Sequence, residues 1–355
     1  MWLFWILAAI AVITLFYLRP AKLEQYDAPA GQSFAGGNGT DEEHKEVVAS
    51  LASGMGPIQQ APRSERLGLM RQYMDGISAN QDIQAQVIPT DIAGMKAEWV
   101  IAPGVSHSRR ALYIHGGAFV MGSPTSHRNI TSSFSREANA AVLVIDYRLM
   151  PENRRLAGVE DCRAAYRWIL QNGPQGLATA ERIYLGGDSA GGNLALSLLQ
   201  WVRDKKLRPP DAVIALSPVT DTTFGSPSVK RNLDTDVMLG PMFKRIVRLP
   251  APLIWWTAWI QNRVSPTDPA VSPVFGDLSG LPPTLVHASE SEILHDDALR
   301  YVNRAVAAGS PAILQTWGHM AHVWHMFYPQ LTEAREAWSE IGAFITQTDA
   351  SRGKS

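Results

Sequence analysis

One serine lies in a run that can make it a nucleophile. Arg182–Asn193 reads Arg-Ile-Tyr-Leu-Gly-Gly-Asp-Ser-Ala-Gly-Gly-Asn. The β-prone run Ile183–Leu185 leads into Gly187-Asp188-Ser189-Ala190-Gly191, and a helix-forming run, Leu194–Val202, follows. This is the G-x-S-x-G nucleophile elbow in its strand–turn–helix context. So tight a turn forces Ser189 into a strained backbone conformation. Gly187 and Gly191 avoid side-chain clashes where strand and helix come close. The strain lifts the Ser189 hydroxyl above the sheet, over a helix N-terminus that favours developing negative charge. About seventy residues earlier, Ala111–Gly122 reads Ala-Leu-Tyr-Ile-His-Gly-Gly-Ala-Phe-Val-Met-Gly. Attack by a serine on an acyl carbon builds a tetrahedral oxyanion, which needs fixed N–H donors. A strand ending at His115 predicts such donors in the N–H groups of Gly116, Gly117 and Ala118, acting with that of Ala190. His115 is expected to hold this loop by hydrogen bonding.

These residues need a scaffold, and the hydrophobic pattern supplies one. Strand-like runs recur at Ala85–Ile88, Glu98–Ala102, Ala111–His115, Ala141–Asp146, Ile183–Leu185, Ala212–Leu216, Thr284–His287 and Ala312–Thr316. From Ala111 onward helical stretches separate them. Alternation of β and α predicts a mostly parallel sheet covered on both faces. The first two runs lack a helix between them and are expected to form an antiparallel edge. Upstream, Thr40-x-x-Glu43 reads as a capping box opening a helix to about Ser53, broken by Gly54–Pro57, before a second helix over about residues 64–78. The long interval between Leu216 and Thr284 lacks a clear strand and is expected to be an insertion that builds a lid. Trp255, Trp256, Trp259, Met242 and Phe243 would then line an acyl or alcohol pocket, or bind the lid to the core.

Composition narrows the function classes. At 355 residues, with 46% hydrophobic residues, the chain suits one large α/β domain. A net charge of −1 and the absence of any Lys/Arg run argue against a nucleic-acid partner. The single cysteine, Cys162, excludes an intramolecular disulfide and reads as a core residue. Trp2–Leu18 is apolar apart from Thr14 and would span about 25 Å as a helix, slightly short of a bilayer core. Residues 1–20 are therefore expected to be an uncleaved membrane anchor, with a cleaved signal segment as the rival. Arg19 and Lys22 behind it predict a cytoplasmic catalytic domain. Residues 21–39 read as a linker, and residues 40–347 as the main domain, with a lid from about 40–80 and 218–265.

The chain resembles the hormone-sensitive-lipase-like branch of the α/β-hydrolases, a branch rich in bacterial esterases. The matching segments are His115–Ala118, Asp146–Glu152, Gly187–Asn193, Ser217–Asp221, Glu292–Asp296 and His322–His325, in the family's order. The resemblance implies an eight-stranded hydrolase sheet, a lid from the N-terminal helices plus an insertion, and no cofactor. Two positions depart from the pattern. Ala118 replaces the last glycine of His-Gly-Gly-Gly, and Glu292 opens the segment where the family places an aspartate. Glu292 follows the strand Thr284–His287 and is the expected acid, with Asp296 and Glu290 as rivals. Chain order alone admits His319, His322 or His325 as the base. The family's pattern, a histidine before Val-Trp, selects His322. No carboxylate stands beside the three histidines, which argues against a metal site.

The resemblance thus implies a serine carboxylic ester hydrolase for short- to medium-chain esters, working through Ser189, His322 and Glu292. Lactone hydrolysis and amide deacetylation would use the same residues. A non-catalytic ligand-binding module on this fold would dispense with the histidine, which this chain keeps. A membrane adaptor using the fold as a scaffold is an equally weak reading.

Overall fold

The apolar runs pair into one nine-stranded sheet in the computed structural model, which describes residues 1–36, 41–79, 81 and 83–352. The strands are β1 (Gln32–Phe34), β2 (Gln86–Ile92), β3 (Met95–Ile101), β4 (Ser106–Ile114), β5 (Ala140–Ile145), β6 (Arg182–Asp188), β7 (Ala212–Leu216), β8 (Thr284–Ser289) and β9 (Ala312–Trp317). Their order is β1-β9-β8-β7-β6-β4-β5-β3-β2. All neighbours run parallel except β3, which is antiparallel to both β2 and β5. The antiparallel edge expected from the first two runs is present. Every residue of β5, β7 and β8 is buried, as a sheet covered on both faces requires.

Among the described residues eleven α-helices accompany the sheet: α1 (Trp2–Ile13), α2 (Glu42–Gln60), α3 (Arg63–Ala79), α4 (Arg128–Ala138), α5 (Arg155–Ile169), α6 (Ser189–Asp204), α7 (Ser228–Arg231), α8 (Gly240–Phe243), α9 (Ala251–Asn262), α10 (His295–Ala307) and α11 (Thr332–Arg352). Val159 of α5, Leu194 of α6 and Ala298 of α10 belong to the core on one face of the sheet. Phe134 of α4 and Trp338 of α11 belong to the core on the other. Cys162 is in the first core, as expected. The strandless interval holds α7, α8 and α9.

Two local expectations are corrected, and a third falls outside the described residues. Gly54–Pro57 does not end α2, which runs on to Gln60. A Cβ on Gly54 would collide with the Tyr73 ring, so this glycine admits α3 to close contact rather than breaking the helix. The Thr40 of the capping box lies outside the described residues, and Glu43 instead accepts the Thr332 backbone N–H at 2.7 Å. The stretch expected as a linker folds onto the domain. Leu23 is buried in the core, Asp27 pairs with Arg300 at 2.6 Å, and β1 adds a ninth strand beside β9 to the expected eight.

The N-terminal segment is helical, but its α-helix ends at Ile13 and a π-helical turn covers Thr14–Leu18. Twelve residues rise only about 18 Å. No helix among the described residues is long and apolar enough to cross a membrane. The single-pass anchor is therefore not supported, and the orientation inferred from Arg19 and Lys22 loses its premise. The segment's C-terminal end docks on α9 instead. Trp256 Nε1 donates to Thr14 Oγ1 at 2.8 Å, Tyr17 meets Trp259 edge-to-face, and Ser265 Oγ donates to the Tyr17 carbonyl at 2.7 Å. Leu18 is fully buried, whereas most of Met1–Val12 is exposed.

Removing residues 1–12 should therefore leave the melting temperature within about 2 °C of the full chain. Removing residues 1–23 takes out buried Leu18 and Leu23, each worth roughly 2–4 kcal/mol, and should lower it by roughly 5–10 °C. Equal melting temperatures in a thermal scan would contradict this docking.

Candidate active site

Ser189 opens α6 with φ 51°, a left-handed conformation that an L-residue adopts only under constraint. The constraint is the close approach of α6 to the end of β4. A Cβ on Gly191 would collide with the carbonyl oxygens of Ile114 and His115. One on Gly187 would press against the Gly191 backbone. The turn aims Ser189 Oγ at His322 Nε2, 2.9 Å away. His322 Nδ1 lies 2.6 Å from Glu292 Oε2. Glu292 Oε1 accepts the Ser289 N–H at 2.8 Å. Glu292 follows β8 and His322 follows β9, so adjacent strand ends bring the acid and the histidine together.

The rivals are engaged elsewhere. Asp296 pairs with Arg231 at 2.9 Å and accepts the Ser228 N–H at 2.8 Å. Glu290 accepts the hydroxyls of Ser33 and Thr316. His319 is exposed rather than on a pocket wall. His325 is buried and hydrogen-bonded, with Nε2 lying 3.0 Å from His287 Nδ1. Among the described residues no group of three His, Cys, Asp or Glu could hold a metal.

Electrostatics favour a charged His322. Burial pulls its pKa down, but the hydrogen bond and charge of Glu292, then the charges of Asp236 and Asp188, outweigh burial and hold it above the ordinary value of 6.5. Asp236 was not legible as a site residue. It accepts the backbone N–H groups of Ile293 and Leu239 at 2.9 and 2.7 Å, which fixes the loop carrying Glu292. Burial depresses His287 and His115 to about 3, so neither competes as a base at neutral pH.

The oxyanion loop corrects one expectation. The Gly116 N–H is committed to Asp188 Oδ1 at 3.1 Å and His127 Nε2 at 3.2 Å, so it does not point at the reaction centre. Gly117, Ala118 and Phe119 follow with φ of 112°, 53° and 65°. Gly117, Ala118 and Ala190 remain as candidate donors. Asp188 is the buried hub that sequence reasoning passed over. It also accepts the Tyr113 hydroxyl at 2.9 Å and faces His127 at 3.3 Å. His115 braces the loop as expected, through Nδ1 to the Gly116 carbonyl at 2.8 Å and through stacking on Tyr147.

Ser189 opens on a cavity of about 380 Å³ whose walls include Phe119, Arg155, Leu239, Phe243 and Ile254. α9 offers it Ile254, Thr257, Ala258 and Gln261, an i, i+3, i+4, i+7 face. Its tryptophans were expected either to line the pocket or to bind the lid to the core. Trp255, Trp256 and Trp259 do not line this cavity, and Trp256 and Trp259 hold the N-terminal segment. Met242 lines a separate apolar cavity of about 290 Å³ between α2, α3 and α8, together with Met55, Met70, Met74, Met121 and Met238.

The chain is similar to known proteins in sequence and in fold. A family model described as the alpha/beta hydrolase fold matches residues 111–326. An acetyl-hydrolase of Streptomyces hygroscopicus is 39% identical over 70% of this chain and 79% of its own length. A carboxylesterase/phospholipase of Mycobacterium tuberculosis is 37% identical over 72% of this chain and 67% of its own. The crystal structure of an esterase from the bacterial hormone-sensitive lipase family superposes with a TM-score of 0.72 at 34% identity, covering 85% of this chain and 98% of that one.

Because protonated His322 cannot accept a proton, kcat/KM should fall on acidification with a midpoint above 6.5. Glu292→Gln should lower kcat by about 10³–10⁴-fold and move that midpoint down. A pH–rate profile with its acidic limb at or below 6.5, or one unmoved by Glu292→Gln, would contradict this electrostatic assignment.

Proposed function

Because the chain belongs to the hormone-sensitive-lipase-like branch of the α/β-hydrolases and is a serine carboxylic ester hydrolase, we propose that Ser189, His322 and Glu292 are its catalytic triad. The observation that carries this reading is the unbroken relay from Ser189 Oγ to His322 Nε2 at 2.9 Å and from His322 Nδ1 to Glu292 Oε2 at 2.6 Å. His322 Nε2 takes the hydroxyl proton as Ser189 Oγ bonds to the ester carbonyl carbon. The carbonyl oxygen becomes an oxyanion held by the N–H groups of Gly117, Ala118 and Ala190. Glu292 keeps Nδ1 protonated and stabilises the imidazolium. His322 then gives its proton to the departing alcohol as the carbon–oxygen bond breaks, leaving an acyl-serine. Water, deprotonated by the same nitrogen, attacks the acyl carbon and restores Ser189.

The cavity of about 380 Å³ is near the small end of the range for ligand pockets, about 300–1,000 Å³. Its mostly apolar wall and limited volume favour short- and medium-chain acyl groups. We assign the catalytic domain to residues from about 21 to 352, because Leu23, β1 and α11 pack as part of it, with the lid from about 40–80 and 218–265. In a series of p-nitrophenyl esters from acetate to palmitate, the full chain should turn over acetate to octanoate fastest, and Ser189→Ala should lose about 10⁴-fold or more. Turnover by Ser189→Ala close to the parent rate would contradict the assignment.

We further infer that α1 rests on one face of a lipid layer rather than crossing it. Trp2 is 86% exposed and Phe4 and Trp5 are each 68% exposed. Exposed Arg19 and Lys22 follow, which suits an anionic headgroup region. The full chain should co-sediment with vesicles of mixed phosphatidylglycerol and phosphatidylcholine, and the chain lacking residues 1–12 should stay in the supernatant. Equal partitioning of the two would refute this placement.

A further inference from the structure

Arg155 is the one basic residue among the described residues of the Ser189 cavity wall, and no hydrolytic step requires it. It opens α5 and is 4% exposed. Its guanidinium lies 3.7 Å from the centroid of the Phe119 ring, and Nη2 donates to Asn193 Oδ1 at 2.6 Å. Among the described residues no carboxylate pairs with it; the ionisable groups whose charge acts on it are Tyr147 and Cys162. Burial lowers its pKa only to about 10, so it remains a cation at neutral pH. The other buried arginines are satisfied differently. Arg300 pairs with Asp27, and Arg110 donates to the carbonyls of Ile169 and Ala178.

A buried cation with one neutral acceptor and one aromatic face is undercompensated. Its position makes this worse, because the N-terminus of α5 carries partial positive charge and its first turn holds no acidic residue. The missing partner is an anion, and the cation faces the cavity that receives the ester. We propose that Arg155, with the N-terminus of α5, forms a subsite for a carboxylate carried by the substrate. The inference rests on the ester-hydrolase reading and names its substrate class: half-esters of short dicarboxylic acids, or esters of hydroxy acids. The planar guanidinium still has N–H donors to offer a carboxylate. Phe119 directly follows the oxyanion donor Ala118, so the charged end of such a substrate lies close to the scissile bond. The one acidic residue among the described residues of the cavity wall, Asp221, has Oδ1 turned to the N–H and hydroxyl of Thr223 at 2.8 and 2.5 Å.

Two substrate pairs separate the possible positions of the charge. p-Nitrophenyl hemiglutarate against p-nitrophenyl valerate puts the carboxylate on the acyl side, and 4-acetoxybenzoate against phenyl acetate puts it on the leaving group. In one pair the full chain should favour the anionic ester by about ten-fold or more in kcat/KM, chiefly through KM. Arg155→Met should bring that ratio to one or below, and Arg155→Lys should restore part of it. A ratio at or below one in both pairs, or a preference that Arg155→Met leaves intact, would overturn the proposal. Calorimetry provides a readout without turnover. Glutarate or 4-hydroxybenzoate should bind Ser189→Ala and fail to bind Ser189→Ala with Arg155→Met, and no binding to Ser189→Ala would overturn the subsite. Failure to hydrolyse any ester while that binding persists would count against the hydrolase reading and uphold the subsite.

Discussion

The reaction centre depends on how closely the first turn of α6 approaches the end of β4. Gly191 has no side chain to keep it off the Ile114 and His115 carbonyls, and that contact holds Ser189 at φ 51°. The left-handed backbone costs about 1–2 kcal/mol, which the parallel pairing of β4 with β6 beneath it sustains. The same approach brings Asp188 under the loop after β4, where its buried carboxylate takes the Gly116 N–H and the Tyr113 hydroxyl. One close contact therefore sets the nucleophile and the oxyanion loop in a single frame.

Charge is arranged around that frame in two tiers. On the acid side, Glu292 and Asp236 stand behind His322 and favour its charged form. Further from the serine, burial keeps His115 and His287 neutral, so they act as hydrogen-bonding spacers. Arg155 is the exception: a buried cation on the wall of the Ser189 cavity with no anion among the described residues to match it. The lid follows the same economy of faces. α9 turns one face to the cavity and its tryptophans to the N-terminal segment, so a helix of the substrate wall is braced by residues from the start of the chain.

Much of this was legible in the sequence because it is local. The buried strands are continuous apolar runs, and the elbow needs glycines two residues either side of Ser189. Ser189, Glu292 and His322 follow from chain order together with the family resemblance. What was not legible depends on partners distant in sequence. The Gly116 N–H looks free until Asp188, 72 residues later, is seen to accept it. Pro57 reads as a helix breaker until Gly54 is seen to admit Tyr73 of α3. The tryptophans of α9 could line the pocket or bind the lid to the core because composition does not say which face meets which neighbour. The apolar N-terminal run reads as a span because hydropathy is blind to the π turn at Thr14–Leu18 and to its docking on α9.

The central claim is that Ser189 is activated by His322 within this frame. The most direct measurement is the rate and site of phosphonylation by a fluorophosphonate, followed by intact mass and peptide mapping across pH. The account predicts one adduct, on Ser189, forming at a rate that rises through a single ionisation above 6.5 and collapses in His322→Ala. Modification at another residue, or a Ser189 labelling rate indifferent to pH and to the loss of His322, would contradict it.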